Sequence, residues 1–231
     1  MSTTSLLVQS LPVLAQGAVL TVKFAVLSMV FGLIGAVVLA MMGIRQSEGM
    51  TSGVERFVVN ALAALARAYV SVMRGTPLLV QIFVIYYGLP SLGISLDPTP
   101  AGVIALSANV AAYMSESMRG AINGIHRGQW LASYSLGLSW GQTLRYVIGP
   151  QALRIAVPSL SNSLISLIKD TSLVSVITVT ELLRSAQEVI AATYQPLPLY
   201  LAAAAVYWVL CQILEWVQRW YEKRLSLPAK H

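Results

Sequence analysis

The polar residues with the most chemistry in them stand in a row. In Ser159–Asp170 (SLSNSLISLIKD), Ser159, Asn162, Ser166, Lys169 and Asp170 recur at steps of three and four. That spacing puts them on one stripe of a helix. Hydroxyls and an amide leading to a lysine and an aspartate at membrane depth should line water, a ligand or a partner, because lipid would leave them unsatisfied. Lys169 and Asp170 place a cation and an anion side by side in sequence, although neighbours on a helix project about 100° apart. A second row is Asn109, Tyr113 and Glu116, at i, i+4 and i+7, with Arg119 three residues beyond Glu116 and able to pair with it. Arg74 stands just before Gly75-Thr76-Pro77. Each group also has a plainer reading. Lys169 and Asp170 would suit the interfacial end of a shorter helix, Glu116 an ion pair near a helix end, and Arg74 an interfacial anchor.

Other chemistries find no residues to carry them. The two histidines, His126 and His231, lie far apart with no HExxH spacing, so no zinc site is expected. Cys211 is the single cysteine, which excludes a disulfide framework. None of the four lysines follows a glycine, so there is no P-loop, and any ATP would be hydrolysed by another chain. No nucleophile and base stand in a catalytic pattern.

The elements that position these rows are apolar. Of 231 residues, 56% are hydrophobic and 10% charged, with a mean hydropathy of +0.70. Soluble domains carry about 25% charged residues, so this chain belongs in lipid. The net charge of +6 then reports which loops face the cytoplasm rather than a nucleic-acid surface. Thr21–Ile44 is long enough for a hydrocarbon core of about 30 Å, and Gly32, Ala36 and Ala40 form a small-residue stripe along it. Arg45, Glu48, Glu55 and Arg56 mark a polar break. Phe57–Leu89 follows. Pro77 predicts a kink or break, with Phe57–Met73 partly interfacial and Leu78–Gly88 inserted. Ala101–Met118 is a third span. A fourth opens at Pro150 and runs through the polar stripe, with apolar Leu173–Val179 beyond, and Pro198–Trp216 is the fifth. Lys and Arg alternate between loops as expected for about five spans with the N-terminus outside and the C-terminus cytoplasmic. Residues 1–17 carry no charge, so the basic start of a cleaved signal peptide is not expected. The expected fold is thus an all-α integral membrane protein, a single domain over residues 1–231.

One stretch does not fit a simple connector. Gly128–Pro158 (GQWLASYSLGLSWGQTLRYVIGPQALRIAVP) is polar and basic, contains no acid, and by charge counting faces the cytoplasm. Gln129–Leu136 is helix-competent and Gly137 is a good stop. Leu138–Val147 reads as a second short helix. Together they predict a compact docking knob under the membrane, over about residues 126–149.

This stretch resembles the EAA loop of bacterial ABC-importer permeases, through residues that include Gly128, Gln129, Ala132, Leu136, Gly137, Arg145, Pro150 and Arg154. RGTPLLVQ at Arg74–Gln81, AAYMSESMRGAI at Ala111–Ile122 and LSNSLISLIKDTSL at Leu160–Leu173 resemble the polar amino-acid group of those permeases (histidine, glutamine, arginine, cystine). Tyr86–Pro90 and Leu96–Pro98 are most similar to cystine permeases. The resemblance implies a multi-pass protein of the bacterial inner membrane. It implies a second permease copy or homologue, an ABC ATPase that holds ATP and Mg²⁺, and a periplasmic or extracellular substrate-binding protein. It also implies that Gln129, Leu131, Ala132, Ser133, Leu136 and Gly137 contact the ATPase. The translocation pathway is then expected at Asn162, Ser166, Lys169 and Asp170, with Glu116 and Arg74. Leu131 stands where these permeases usually carry a carboxylate, and Gly149 where they usually carry leucine, so docking by apolar packing is expected here. A secondary transporter or channel would need no such knob, and a non-transporting membrane scaffold would leave uptake untouched by Lys169→Ala and Asp170→Ala.

Overall fold

The computed structural model describes residues 3–44 and 53–225, and those residues contain helices and turns but no strand. Arg45 and Glu48 of the expected polar break, and Lys230 and His231, lie outside them. Helix α1 runs Thr3–Ile44, α2 Gly53–Gly75 and α3 Leu78–Phe83. A π turn (Val84–Gly88) and a 3-10 turn (Leu89–Leu92) follow. Then come α4 (Pro98–Asn123), α5 (Arg127–Ser135) and α6 (Trp140–Thr143). A π segment, Leu144–Ile148, leads into α7, Gly149–Asp170. A 3-10 segment (Thr171–Ile177), α8 (Leu182–Thr193) and α9 (Pro196–Leu225) complete the described chain.

α1, α2 and α9 are long and apolar enough to cross a membrane, and the bent pair Trp140–Ile177 with Leu182–Thr193 makes a fourth candidate. The expected third span, Ala101–Met118, lies inside α4, whose 26 residues reach about 39 Å at 1.5 Å per residue. Its polar residues lower its mean hydropathy, but it packs against α1, α2 and α7 at the centre of the bundle. Leu106, Val110 and Met114 of α4 meet Phe24 and Ala25 of α1, Leu167 and Ile168 of α7, and Val174 and Ile177 of the 3-10 segment in one apolar core.

Two expectations are corrected. α1 is much longer than Thr21–Ile44: it starts at Thr3, because Leu6, Ser10, Leu14 and Gly17 continue its buried face toward α8. Leu138–Val147 is no separate short helix. α6 passes through the π segment into α7 without a turn, and Ser139 caps its start in a reciprocal box with Gln142. The knob is therefore one short helix beside the extended foot of α7.

The stripe of Gly32, Ala36 and Ala40 is buried, as close packing requires. A Cβ on Gly32 would run into Val110 Cγ1 and stand 3.3 Å from the Ser107 carbonyl oxygen. Gly32→Val is therefore expected to destabilise the bundle by about 1–3 kcal/mol through overpacking. The check is thermal unfolding in detergent. An unchanged Tm would mean α1 and α4 are not pressed together at this point.

Candidate translocation site

The break between α2 and α3 builds one wall of the site. Pro77 has no N–H, and α2 stops at Gly75, so carbonyls near the break lose their helical partners. Gln81, on the buried side of α3, replaces them. Its Nε2 donates to the Met73 carbonyl (2.9 Å), the Thr76 carbonyl (3.2 Å) and Thr76 Oγ1 (2.9 Å). Asn109 Nδ2 donates to Gln81 Oε1 at 2.9 Å and to the Met73 carbonyl at 3.3 Å. Gln81 is not among the residues expected at the pathway. The available signal was that it is the one amide in the apolar run Leu78–Gly88.

A cavity of about 790 Å³ opens beside this wall. α2 and the break supply Arg74, Thr76 and Pro77. α4 supplies Asn109, Tyr113, Glu116 and Ser117, and α7 supplies Ser159, Asn162, Ser163, Ser166 and Asp170. Five of the six residues singled out for the pathway thus line one space. Lys169 does not. It projects to the other side of α7, into a groove of about 410 Å³ shared with Glu215, Gln218 and Arg219 of α9. The helical turn between adjacent residues separates the two charges. Asn162 and Ser166 border both spaces, and Gln218 Nε2 donates to Asn162 Oδ1 at 3.1 Å.

Charge in the cavity is uneven along its length. Arg119 grips Glu116 with both ends of its fork, Nε to Oε1 at 2.8 Å and Nη2 to Oε2 at 2.7 Å. Arg74 Nη1 stands 3.6 Å from the same carboxylate, and its guanidinium lies 5.4 Å over the Tyr113 ring. Two cations share one anion, so this end is net positive. At the same level the Ser117 and Ser159 hydroxyls meet at 2.7 Å, joining α4 to α7. Asp170 lies eleven residues further along α7, about 16 Å away at 1.5 Å per residue. No ion pair reaches it among the described residues, and it is half-buried. Nor do the described residues hold a His, Cys, Asp and Glu group able to bind a metal ion.

The short helix α5 is held from within and exposed outside. His126 caps it, its Nδ1 accepting from the Gly128 N–H at 3.1 Å. Trp130 packs on Ala121, Ile125, Ile148 and Ala152, pinning α5 to the ends of α4 and α7. Gly137 adopts φ +77°, and the Gly137 and Leu138 N–H groups donate to the Tyr134 and Ser133 carbonyls. This left-handed stop needs glycine or an equally tolerant residue. Leu131 and Leu136 are 66% and 81% exposed, and Gln129, Ala132 and Gly137 are at least partly exposed with them. Ser133 is the exception: it is 3% exposed and donates to the Gln129 carbonyl at 2.7 Å, so it faces the protein.

An all-helical bundle with a charged cavity among apolar spans and an exposed short helix at one end is the architecture of a membrane transport subunit. Residues 49–227 match the family of binding-protein-dependent transport system inner membrane components, and the chain belongs to that family. It is 45% identical over 216 residues to the L-cystine transport system permease protein TcyB of Bacillus subtilis (strain 168), covering 93% of this chain and 87% of that protein. It is 37% identical over 220 residues to the glutamine transport system permease protein GlnP of Escherichia coli (strain K12), covering 94% and 95%. Among solved structures, an amino acid ABC transporter crystallised with histidines aligns with a TM-score of 0.87 at 32% identity, over 97% of this chain and 99% of that one. These relatives are transport subunits, not enzymes.

Proposed function

We propose that this chain is the transmembrane permease of an ATP-driven ABC importer for cystine. Glutamine, glutamate, arginine and histidine are the alternatives within the same class. The coarser statement stands on the family and its amino-acid relatives: the chain is the permease component of an amino-acid ABC importer. The observation that carries the finer reading is the cavity, which sets Asp170, without an ion-pair partner among the described residues, at one end and a net positive Arg74–Glu116–Arg119 cluster at the other. Ionised groups among apolar spans are costly unless water or a polar solute meets them. An amino acid supplies both partners. Asp170 takes an ammonium group, Asn162 and Ser166 hydrogen-bond beside it, and Arg74, only loosely held by Glu116, takes a carboxylate. Cystine carries an ammonium and a carboxylate at each end, which suits charges standing at different heights in the cavity.

In this reading the other partners follow from exposed chemistry. A separate ATPase, which binds ATP and Mg²⁺, docks on α5 at Gln129, Leu131, Ala132, Leu136 and Gly137, with the coupling loop spanning about residues 126–149 of a single domain. A second permease, identical or homologous, covers the α7–α9 groove, where Lys169, Glu215 and Arg219 would otherwise meet lipid. A soluble binding protein delivers substrate from outside. The chain crosses the bacterial inner membrane about five times, with its C-terminus in the cytoplasm. ATP binding draws the two ATPases together, α5 follows, and the helices rock between two packings that open the cavity to opposite sides.

Accumulation of labelled amino acids by the assembled complex tests this. Saturable, ATP-dependent uptake of cystine is expected. Uptake that survives ATP depletion, with no nucleotide-binding subunit co-purifying, would overturn the importer reading. Preference for another amino acid would overturn only the choice of cystine.

A further inference from the structure

Glu181 is a carboxylate with 0% exposure, and the translocation reading leaves it unused. It stands at the bend between the 3-10 segment and α8, where the two halves of the broken span meet at 47°. Its Oε1 accepts from the Arg184 N–H at 2.7 Å, and its Oε2 from the Leu183 N–H at 2.9 Å. Tyr207 of α9 donates to Oε2 at 2.5 Å, and Thr21 of α1 donates to it at 3.5 Å. The Thr21 hydroxyl in turn accepts from the Leu182 N–H at 3.0 Å. The packing beside it is tight: a Cβ on Gly17 would come within 2.9 Å of Leu182 Cα. One side chain therefore joins α1, α8 and α9 into a block.

The segment between this block and Asp170 is unusual. Thr171–Ile177 is seven residues of 3-10 helix starting at the residue after Asp170, whereas such runs seldom exceed three or four residues and often mark hinges. It ends at Thr178 with φ +67°, a left-handed conformation that costs a β-branched residue. Within it the Thr171, Ser172 and Ser175 hydroxyls each donate at 2.7 Å to a carbonyl three residues back. Such bonds are available in α-helix as well, so the hydroxyls keep satisfied partners in either form. Rewinding seven residues from a rise of about 2.0 Å to about 1.5 Å shortens the segment by about 3.5 Å and rotates its end by about 140°. With the far end fixed, the whole displacement reaches Asp170.

We infer that Glu181 is a positioning residue for Asp170: it anchors the outer end of a 3-10 segment whose rewinding moves Asp170 between the two access states. The inference rests on the reading of Asp170 as a substrate contact. Its test uses the complete transporter in liposomes, with Cys211→Ala to free the background and spin labels on Leu164→Cys, partly exposed on α7 and moving with Asp170, and on Leu201→Cys of the anchored α9. Wild type should give two inter-label distances whose populations change with ATP. Glu181→Gln keeps the size but replaces an acceptor oxygen by an amino group. It should collapse the two distances to one and lower the maximal uptake rate roughly tenfold, the effect of about one lost buried charged hydrogen bond. If Glu181→Gln does not assemble, Tyr207→Phe, which removes one donor, should blur the two populations and reduce uptake by a smaller factor. A single ATP-independent distance in wild type would overturn the inference. So would wild-type distances and uptake in Glu181→Gln, or in Tyr207→Phe where only that variant assembles. Normal uptake by Asp170→Asn would instead overturn the site reading, and the distance measurement distinguishes the two failures.

Discussion

Asp170→Asn is expected to reduce amino-acid uptake about 10–100-fold while the complex assembles normally. Asparagine keeps the shape and the hydrogen-bonding capacity of the side chain, so the half-buried end of α7 loses no packing. What it loses is the negative charge at that end of the cavity. A charge-assisted hydrogen bond is worth about 1.5–3 kcal/mol, which corresponds to that range of affinity. The loss should fall mainly on KM for transport, with ATP hydrolysis by the resting complex unchanged. Lys169→Gln is the informative companion. Lys169 faces the α7–α9 groove rather than the cavity, so it should disturb assembly with the second permease more than substrate affinity. Full uptake by Asp170→Asn would remove the carboxylate from the pathway. Identical profiles for the two variants would mean that the two faces of α7 have no separate roles.

Gly137→Asp should uncouple the transporter, with ATP hydrolysed but uptake reduced tenfold or more. Gly137 is exposed and lies beside the protruding Leu136, and a Cβ added to it would meet no atom within 4 Å. Space is therefore no obstacle inside the chain. The left-handed backbone costs a non-glycine residue about 1–2 kcal/mol, less for aspartate than for most. A Tm drop of a few degrees is expected from that cost alone. Gly137→Ala carries comparable strain without the charge and separates backbone cost from docking. Wild-type coupling in Gly137→Asp would show that this end of α5 is not a docking surface. Leu131→Glu probes the same face from the other side. It restores the carboxylate that related permeases usually carry, on a side chain already exposed. Unchanged or improved coupling would mean that apolar packing at Leu131 substitutes for the charge.

Much of this architecture is legible in the sequence, for local reasons. The Pro77 break follows from a missing N–H and a restrained preceding residue, both properties of the proline itself. The stop at Gly137 follows from the one residue type that enters the left-handed region without strain. The polar row Asn109, Tyr113 and Glu116 lines the cavity because helical period alone sets which side chains share a face. The foot of α7 is harder. Gly149 and Pro150 suggest a boundary, but a wide π turn, in which the Gly149 N–H donates to the Leu144 carbonyl, carries the helix through them.

The sequence by itself determined that this is a multi-pass membrane protein, its apolar spans, the short helix before Gly137 and the residues with chemistry to offer, because hydropathy, period and turn chemistry act over a few residues. Only the tertiary structure decided how those residues are divided. It turned Asp170 toward α4 and Lys169 toward α9, buried Ser133, and made Gln81 the brace of a broken helix. It also brought Thr21 and Tyr207 to Glu181 across 160 and 26 positions. Such pairings are set by which helix packs on which, and a helix's own period is the same whatever neighbour it meets.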